Sequence, residues 1–422
     1  METVRVSPAT FHEASTRVVL AHPSGNQFFR HLAKALHEAD LLAELCTSVD
    51  WRTTSALAKL LPRGIAAELG RRDFSTALGV PVVQHPWREL MRLAASRVGW
   101  SALTRHERGV FSVDAVYREF DAWMARRLGR QRQAGIVYAY EDAAEATFRA
   151  AKALGWRKVY DLPIAYGPVT RRLLDEEAER WPEWEPTLVG TRDSAEKYER
   201  KAHELALADL VICPSRFVAE SLPPETRAQC PVIVAPFGSP PVLGRKPPTD
   251  PTQPLRVLFA GSMTQRKGLA DLFAALRLLQ RKDIVLVVLG SPVTDLAFYR
   301  RQYRDFEYAA PRPHAEVLAF MGTCDVLCLP SVVEGRALVV QEAMSAGLPA
   351  IVTENTGAAD VIEMGRNGFV VPMRSPQALA EKLAWFADHR TALPEWAVSA
   401  QAAAQRFTWE QYGATIVAAL RT

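Results

Sequence analysis

The chain of 422 residues is short of several things that would otherwise define it. It has only five cysteines (Cys46, Cys213, Cys230, Cys324, Cys328), odd in number and scattered. That excludes a disulfide scaffold, and their place in or beside apolar runs predicts reduced, buried thiols. Cys324 and Cys328 are spaced like metal ligands, but no second Cys/His pair completes a zinc site. No run approaches ~18 consecutive apolar residues, and the opening METVRVSPATFHEASTR lacks the apolar centre of a signal peptide. The expectation is a cytoplasmic chain, at most peripheral to the inner face of a membrane. No Asp-x-Asp occurs, so no carboxylate pair is placed for a divalent ion. No G-x-G-x-x-G occurs either, which argues against a nicotinamide or flavin dinucleotide. The formal charge of +4 is too small to mark a nucleic-acid binder.

What is present is a regular alternation. With 48% hydrophobic residues the chain can bury large cores, and its length predicts two or three domains. RVVLA, AELCTS, VPVVQ, GIVYAYE, KVYDLPI, ADLVICPS and PVIVAPFG read as short buried strands separated by helices. Two of these helices flank an acidic, Trp-bearing loop, RWPEWEP. The Pro-rich SPPVLGRKPPTDPTQP carries no periodic apolar face and reads as a linker. The alternation then restarts with LRVLFAG, DIVLVVLG and FEYAA. This predicts an α/β chain of two doubly wound parallel-sheet units. Charge is uneven: between Trp51 and Gly135 there are fifteen Lys/Arg against seven Asp/Glu, a net +8, leaving −4 for the rest.

The most informative stretch runs from Cys324 to Val371. An apolar run to Leu329 reads as a buried strand broken by Pro330-Ser331, and Glu334-Gly335 turns the chain. Arg336 to Ala346 has helical spacing, and a second apolar strand, Ala350 to Val352, follows. Glu334 and Glu342 are then about two helical turns apart, roughly 10 Å at ~1.5 Å per residue. The N–H groups of the helix start between them favour an anion such as a phosphate. Taken alone, the first Glu could simply face a helix dipole and the second be solvated. Earlier, LFAGSMTQRKGLADLFAAL places Arg266 and Lys267, expected to be exposed, at a helix mouth behind Gly261 and Ser262. Alone it would read as a solvated basic turn; with a helix dipole behind it, it suits a diphosphate.

Together these stretches resemble retaining glycosyltransferases of the GT-B fold, glycosyltransferase family four: a Glu, seven residues, a Glu, then EAMSAGLPAIVT, with a Lys-Gly loop about seventy residues before. The resemblance implies residues 1–238 as an acceptor-side domain, 239–254 as linker and 255–407 as nucleotide-sugar domain. The final helix, 408–422, would cross back onto the first domain. It implies Glu334 on the donor sugar, Glu342 on the ribose, and Lys267 with Arg266 on the leaving diphosphate. Gly261, Ser262, Arg336, Ala337 and Leu338 would line the donor. The family commonly has an aromatic residue and Gly where this chain has Arg336 and Ala337. Fixed cations would replace a metal, so no cofactor is expected.

On the acceptor side the first loop, HPSGN, offers Gly25 and Asn26, with His22 a surface or packing residue. The usual His that closes the strand GIVYAYE is absent; Tyr140 and Glu141 stand there. Glu141 suits a sugar hydroxyl, and Tyr140 reads equally as packing under the next helix. By resemblance ICPSR and APFG are architectural. The basic region 51–135 reads as a solvated helical face, a groove for an anionic acceptor, or a patch for an anionic membrane surface. The acceptor would be a carbohydrate, a lipid-linked sugar or a small molecule. Two rivals remain: a nucleotide-sugar epimerase of the same fold, and a degenerate transferase acting as a binding subunit.

Overall fold

Short β-branched runs become strands covered on both faces, the burial that parallel sheets require. In the computed structural model, which describes residues 17–51, 70, 72–130, 135–242, 244 and 252–422, they form two sheets. The first contains β1 (Val18–Ala21), β2 (Leu42–Thr47), β3 (Val82–Gln84), β4 (Ile136–Tyr140), β5 (Arg157–Asp161), β6 (Leu210–Cys213) and β7 (Val232–Val234), ordered 3-2-1-4-5-6-7. The second contains β8 (Leu255–Ala260), β9 (Ile284–Leu289), β10 (Phe306–Ala309), β11 (Val326–Leu329), β12 (Ala350–Thr353) and β13 (Gly368–Val371), ordered 10-9-8-11-12-13. Every pairing within these sheets is parallel. The expected GT-B plan of two doubly wound domains is present. Only β13 goes beyond the strands read from the sequence.

Each sheet reverses its winding once, beside β1 and β4 in the first and beside β8 and β11 in the second. A crevice opens outside the carboxyl ends at such a reversal, because the flanking loops leave on opposite faces. The loops after β8 and β11 are the ones that carry Lys267 and Glu334.

The final helix, Trp409–Arg421, opens with a Thr408–Gln411 capping box. Its Tyr412, Ile416 and Leu420 join Phe29, Leu32 and Leu36 of the helix Gln27–Glu38 in the first domain's core. His31 stacks on Trp409 with centroids 4.0 Å apart.

RWPEWEP is more than a connector. The helix Gly167–Arg180 is followed by 3-10 turns at Pro182–Thr187 and Val189–Arg192. This first-domain segment sends Trp184 into the second domain's core, 1% exposed. Its ring lies 5.7 Å from Phe273, 5.2 Å from Phe298 and 5.7 Å from Tyr299. Truncating a buried indole of this kind costs about 3–5 kcal/mol. The first part of the basic region, 51–79, falls largely on residues outside those described, as does half of the linker 239–254.

Candidate functional site

After β8 the chain passes through Gly261 at φ 130°, a conformation side chains rarely adopt. A Cβ there would lie 2.9 Å from Lys267 Cε, so the lysine stem crosses close against the chain at this glycine. Gln265–Lys267 form a 3-10 turn, Gly268 adopts φ 77°, and the α-helix begins at Leu269 rather than at Lys267. The Lys267 side chain is 12% exposed, so the expectation of an exposed ammonium is corrected. The stem is held by the chain it crosses, and its head is turned toward the loop after β11.

There it meets Glu334. Lys267 Nζ lies 2.5 Å from Oε1 and Arg266 Nη1 2.9 Å from Oε2, while Arg266 also donates to the Val333 carbonyl at 3.0 Å. Burial pushes the Lys267 ammonium below its ordinary pKa against the pull of Glu334. Burial would raise the Glu334 carboxyl, but the two cations outweigh it and hold it below the usual value. Two cations on one carboxylate leave one uncompensated positive charge. Beside it the backbone N–H groups of Gly335, Arg336 and Leu338 have no partner among the described residues. Fixed charge and free N–H groups at a helix start form a seat for an anion.

Glu342 lies on the helix Leu338–Ser345, with its side chain 14% exposed and Oε1 2.8 Å from His314 Nε2. Its charge is felt at Lys267. The hydrogen bond to Glu342 lifts the His314 pKa above its ordinary value, against burial. Nothing in the sequence signalled His314, which stands 28 residues away at the start of another helix.

Three donor-side expectations change. The Arg336 side chain turns inward, away from the seat. It bonds Gln341 Oε1 at 2.7 Å, the Gly357 carbonyl at 3.1 Å and the Asp360 carboxylate at 2.8 and 2.9 Å, and lies over the Phe407 ring. Nε and Nη1 are thus engaged, while Nη2 is buried with no partner among the described residues. The Ala337 N–H is spent on the Thr356 carbonyl at 2.9 Å. The Leu338 side chain packs on the first domain's core, leaving only its N–H for a ligand. Ser262 stays exposed beside Gly261.

The Glu334 loop also touches the first domain. A Cβ on Gly335 would fall 1.7 Å from the Pro163 carbonyl oxygen, so glycine is required for this approach. Ser215 Oγ, in the segment read as architectural, donates to the Gly335 carbonyl at 2.6 Å and caps Val218 N–H. Neither contact had a local signal.

On the acceptor side, His22 is buried with its pKa lowered to about 3 by burial, and Nδ1 accepts from Ser24 N–H (3.1 Å) and Gly25 N–H (2.8 Å). It is a packing residue. Gly25 packs against the Phe74 ring, and the Asn26 amide oxygen caps the next helix by accepting from Phe29 N–H at 2.8 Å. Tyr140 is 1% exposed, its ring 4.7 Å from His22 and 5.7 Å from Phe28, so it belongs to the core and not to the acceptor. Glu141 differs: Oε2 lies 3.3 Å from Lys201 Nζ, while Oε1 is buried with no partner among the described residues. Burial raises its pKa and Lys201 opposes the shift.

Residues 244–403 match the family model for glycosyl transferases, group 1. Among curated proteins, the putative colanic acid biosynthesis glycosyltransferase WcaL of Salmonella typhimurium is 31% identical over 156 residues, covering 33% of this chain and 38% of that protein. The D-inositol 3-phosphate glycosyltransferase of Corynebacterium urealyticum is 29% identical over 181 residues, 39% of this chain and 42% of that one. The chain thus matches well under half the length of these relatives. Across almost the whole fold, Anabaena Alr3699/HepE, solved in complex with UDP and glucose, superposes with a TM-score of 0.60 at 16% identity, covering 96% of this chain and 100% of that one. The sucrose-phosphate synthase of Thermosynechococcus elongatus gives 0.65 at 15% identity, covering 96% and 98%. The chain is therefore a GT-B-fold protein whose second domain matches the family model for glycosyl transferases, group 1.

Proposed function

We propose that the protein is a retaining glycosyltransferase that moves a sugar from a nucleoside diphosphate donor to an acceptor hydroxyl without a metal ion. The observation that carries this reading is the cluster of Lys267, Arg266 and Glu334 at the winding reversal of the second domain. Without donor, Glu334 is the counter-ion of both cations. An incoming diphosphate takes Lys267 and Arg266, and Glu334 is released to accept hydrogen bonds from the sugar. As the bond from the anomeric carbon to the phosphate breaks, negative charge grows on the diphosphate, where prepositioned cations stabilise it most. The acceptor oxygen bonds to the anomeric carbon, and its proton passes to the departing diphosphate oxygen, the base that the breaking bond creates. The relatives matched are named as transferases, which favours this reading over an epimerase or a binding subunit.

Thermal shift with UDP, GDP and ADP and their sugar conjugates tests the donor class. At least one should raise the melting temperature, and no shift with any would overturn the proposal. The anomeric configuration of the product, read by NMR, tests retention. Transfer is expected to continue in excess EDTA, because the charges on the leaving group are side chains. Loss of activity on chelation, restored by magnesium or manganese, would refute the metal-free mechanism.

A membrane-surface role for part of the basic region is favoured by one observation. On the helix Trp87–Val98, Trp87 (68% exposed), Leu90 and Val98 (63%) fall on one stripe, followed by Trp100 (55%). Arg97, Arg105 and Arg108 are exposed around it, and Glu89 and Asp114 are buried. Apolar rings interleaved with unburied cations suit an anionic lipid surface. The protein should sediment with vesicles containing phosphatidylglycerol, and Trp87→Ser with Trp100→Ser should reduce the bound fraction severalfold. Equal sedimentation of wild type and double variant would remove this patch from consideration.

A further inference from the structure

The cation turn is built partly by the other domain. Gln265, the residue before Arg266, is fully buried and all its polar groups are engaged. Its Nε2 donates to Glu177 Oε2 at 2.6 Å and to Asp271 Oδ2 at 2.8 Å, and its Oε1 accepts from Ala270 N–H at 2.8 Å. Its backbone N–H donates to Thr187 Oγ1 at 3.1 Å. Glu177 and Thr187 belong to the first-domain segment 167–192. The same segment is tied down around the turn. Arg180 reaches Asp271 at 2.6 and 3.0 Å, and Arg374 donates to Glu176 at 2.7 Å and to Glu177. Leu173, Leu174 and Leu188 pack with Val332 and Val333, next to Glu334.

We infer that Glu177 and Thr187 are positioning residues for the diphosphate cations, acting through Gln265, so that first-domain segment 167–192 moves as part of the second domain's donor seat. The physical reason is the number of constraints. A three-residue turn has little structure of its own, and the position of Lys267 Nζ depends on where the turn's backbone is pinned. Trp184 supplies the anchor, because withdrawing a buried indole is costly while the turn is set. Domain opening in this chain consequently bends the connections on either side of 167–192 and leaves the cation turn intact. This inference rests on the proposed role of Lys267 and Arg266.

The test is a double-mutant cycle of Gln265→Leu with Lys267→Ala, accompanied by backbone hydrogen exchange on ligand-free protein. Gln265→Leu is expected to lower kcat/KM for sugar transfer by about 10- to 100-fold, since small displacements of a catalytic group are costly. In the Lys267→Ala background it should cost no more than about twofold, because the group it positions is gone. Exchange at residues 265–270 should quicken in Gln265→Leu, and to a smaller degree in the milder Thr187→Val, while β1 and β4 stay protected. Additive losses in the cycle, or unchanged exchange at the turn in both variants, would overturn the inference. If neither UDP, GDP nor ADP binds wild type, the transferase reading fails, and the exchange measurement alone still decides whether the segment holds the turn.

Discussion

Lys267→Ala should lower kcat/KM for sugar transfer by about two to three orders of magnitude, the loss expected when one fixed donor to a developing oxyanion is removed. The geometry makes the effect chemical rather than merely attractive. Lys267 is held by the Gly261 crossing and paired at 2.5 Å with Glu334, so it waits in place and needs no reorganisation when charge develops. Arg266 remains in the variant to partner Glu334, which limits the damage to folding. Because the side chain is largely buried, a modest fall in melting temperature is expected. Near-wild-type transfer by Lys267→Ala would remove the leaving-group role from this loop. Calorimetry with the nucleoside diphosphate separates the two contributions: a loss confined to affinity would mean that Lys267 binds donor and transition state equally.

The second large effect divides the two glutamates. Glu342→Ala should weaken both the free nucleoside diphosphate and the sugar nucleotide by about 1.5–3 kcal/mol, the value of hydrogen bonds to a charged acceptor. Ribose does not change during the reaction, so that loss should appear in binding. Glu334→Ala should behave differently, and the ion pairs give the direction. Removing Glu334 frees Lys267 and Arg266 of their counter-ion, so affinity for the diphosphate alone should hold or rise. Turnover should fall, because the sugar is no longer held as oxocarbenium character grows. Equal losses of diphosphate affinity in both variants would mean that the pair is not split between sugar and ribose. No loss of binding or turnover in either would reduce Glu334 to the counter-ion of Lys267 and Arg266, and Glu342 to the partner of His314.

The sequence by itself determined the parallel α/β class and the two-unit organisation. Strands buried on both faces must be nearly continuous apolar runs, and that property is local. Lys267, Arg266, Glu334 and Glu342 were singled out by the resemblance of the two stretches together to the glycosyltransferase family, since each charge alone reads as a solvated one. Tertiary structure alone decided the strand order, and hence that the loops after β8 and β11 share one crevice. It decided that Lys267 and Glu334, 67 residues apart, neutralise each other before any ligand arrives. Side-chain direction in a loop has no periodicity to reveal it. Arg336 turned inward because Asp360 and the Gly357 carbonyl were there to receive it. Tyr140 left the acceptor side because the core beneath it had room for a ring. RWPEWEP reads as a connector because its apolar partners, Phe273, Phe298 and Tyr299, lie in the other domain, and long-range packing of that kind leaves no mark on neighbouring residues.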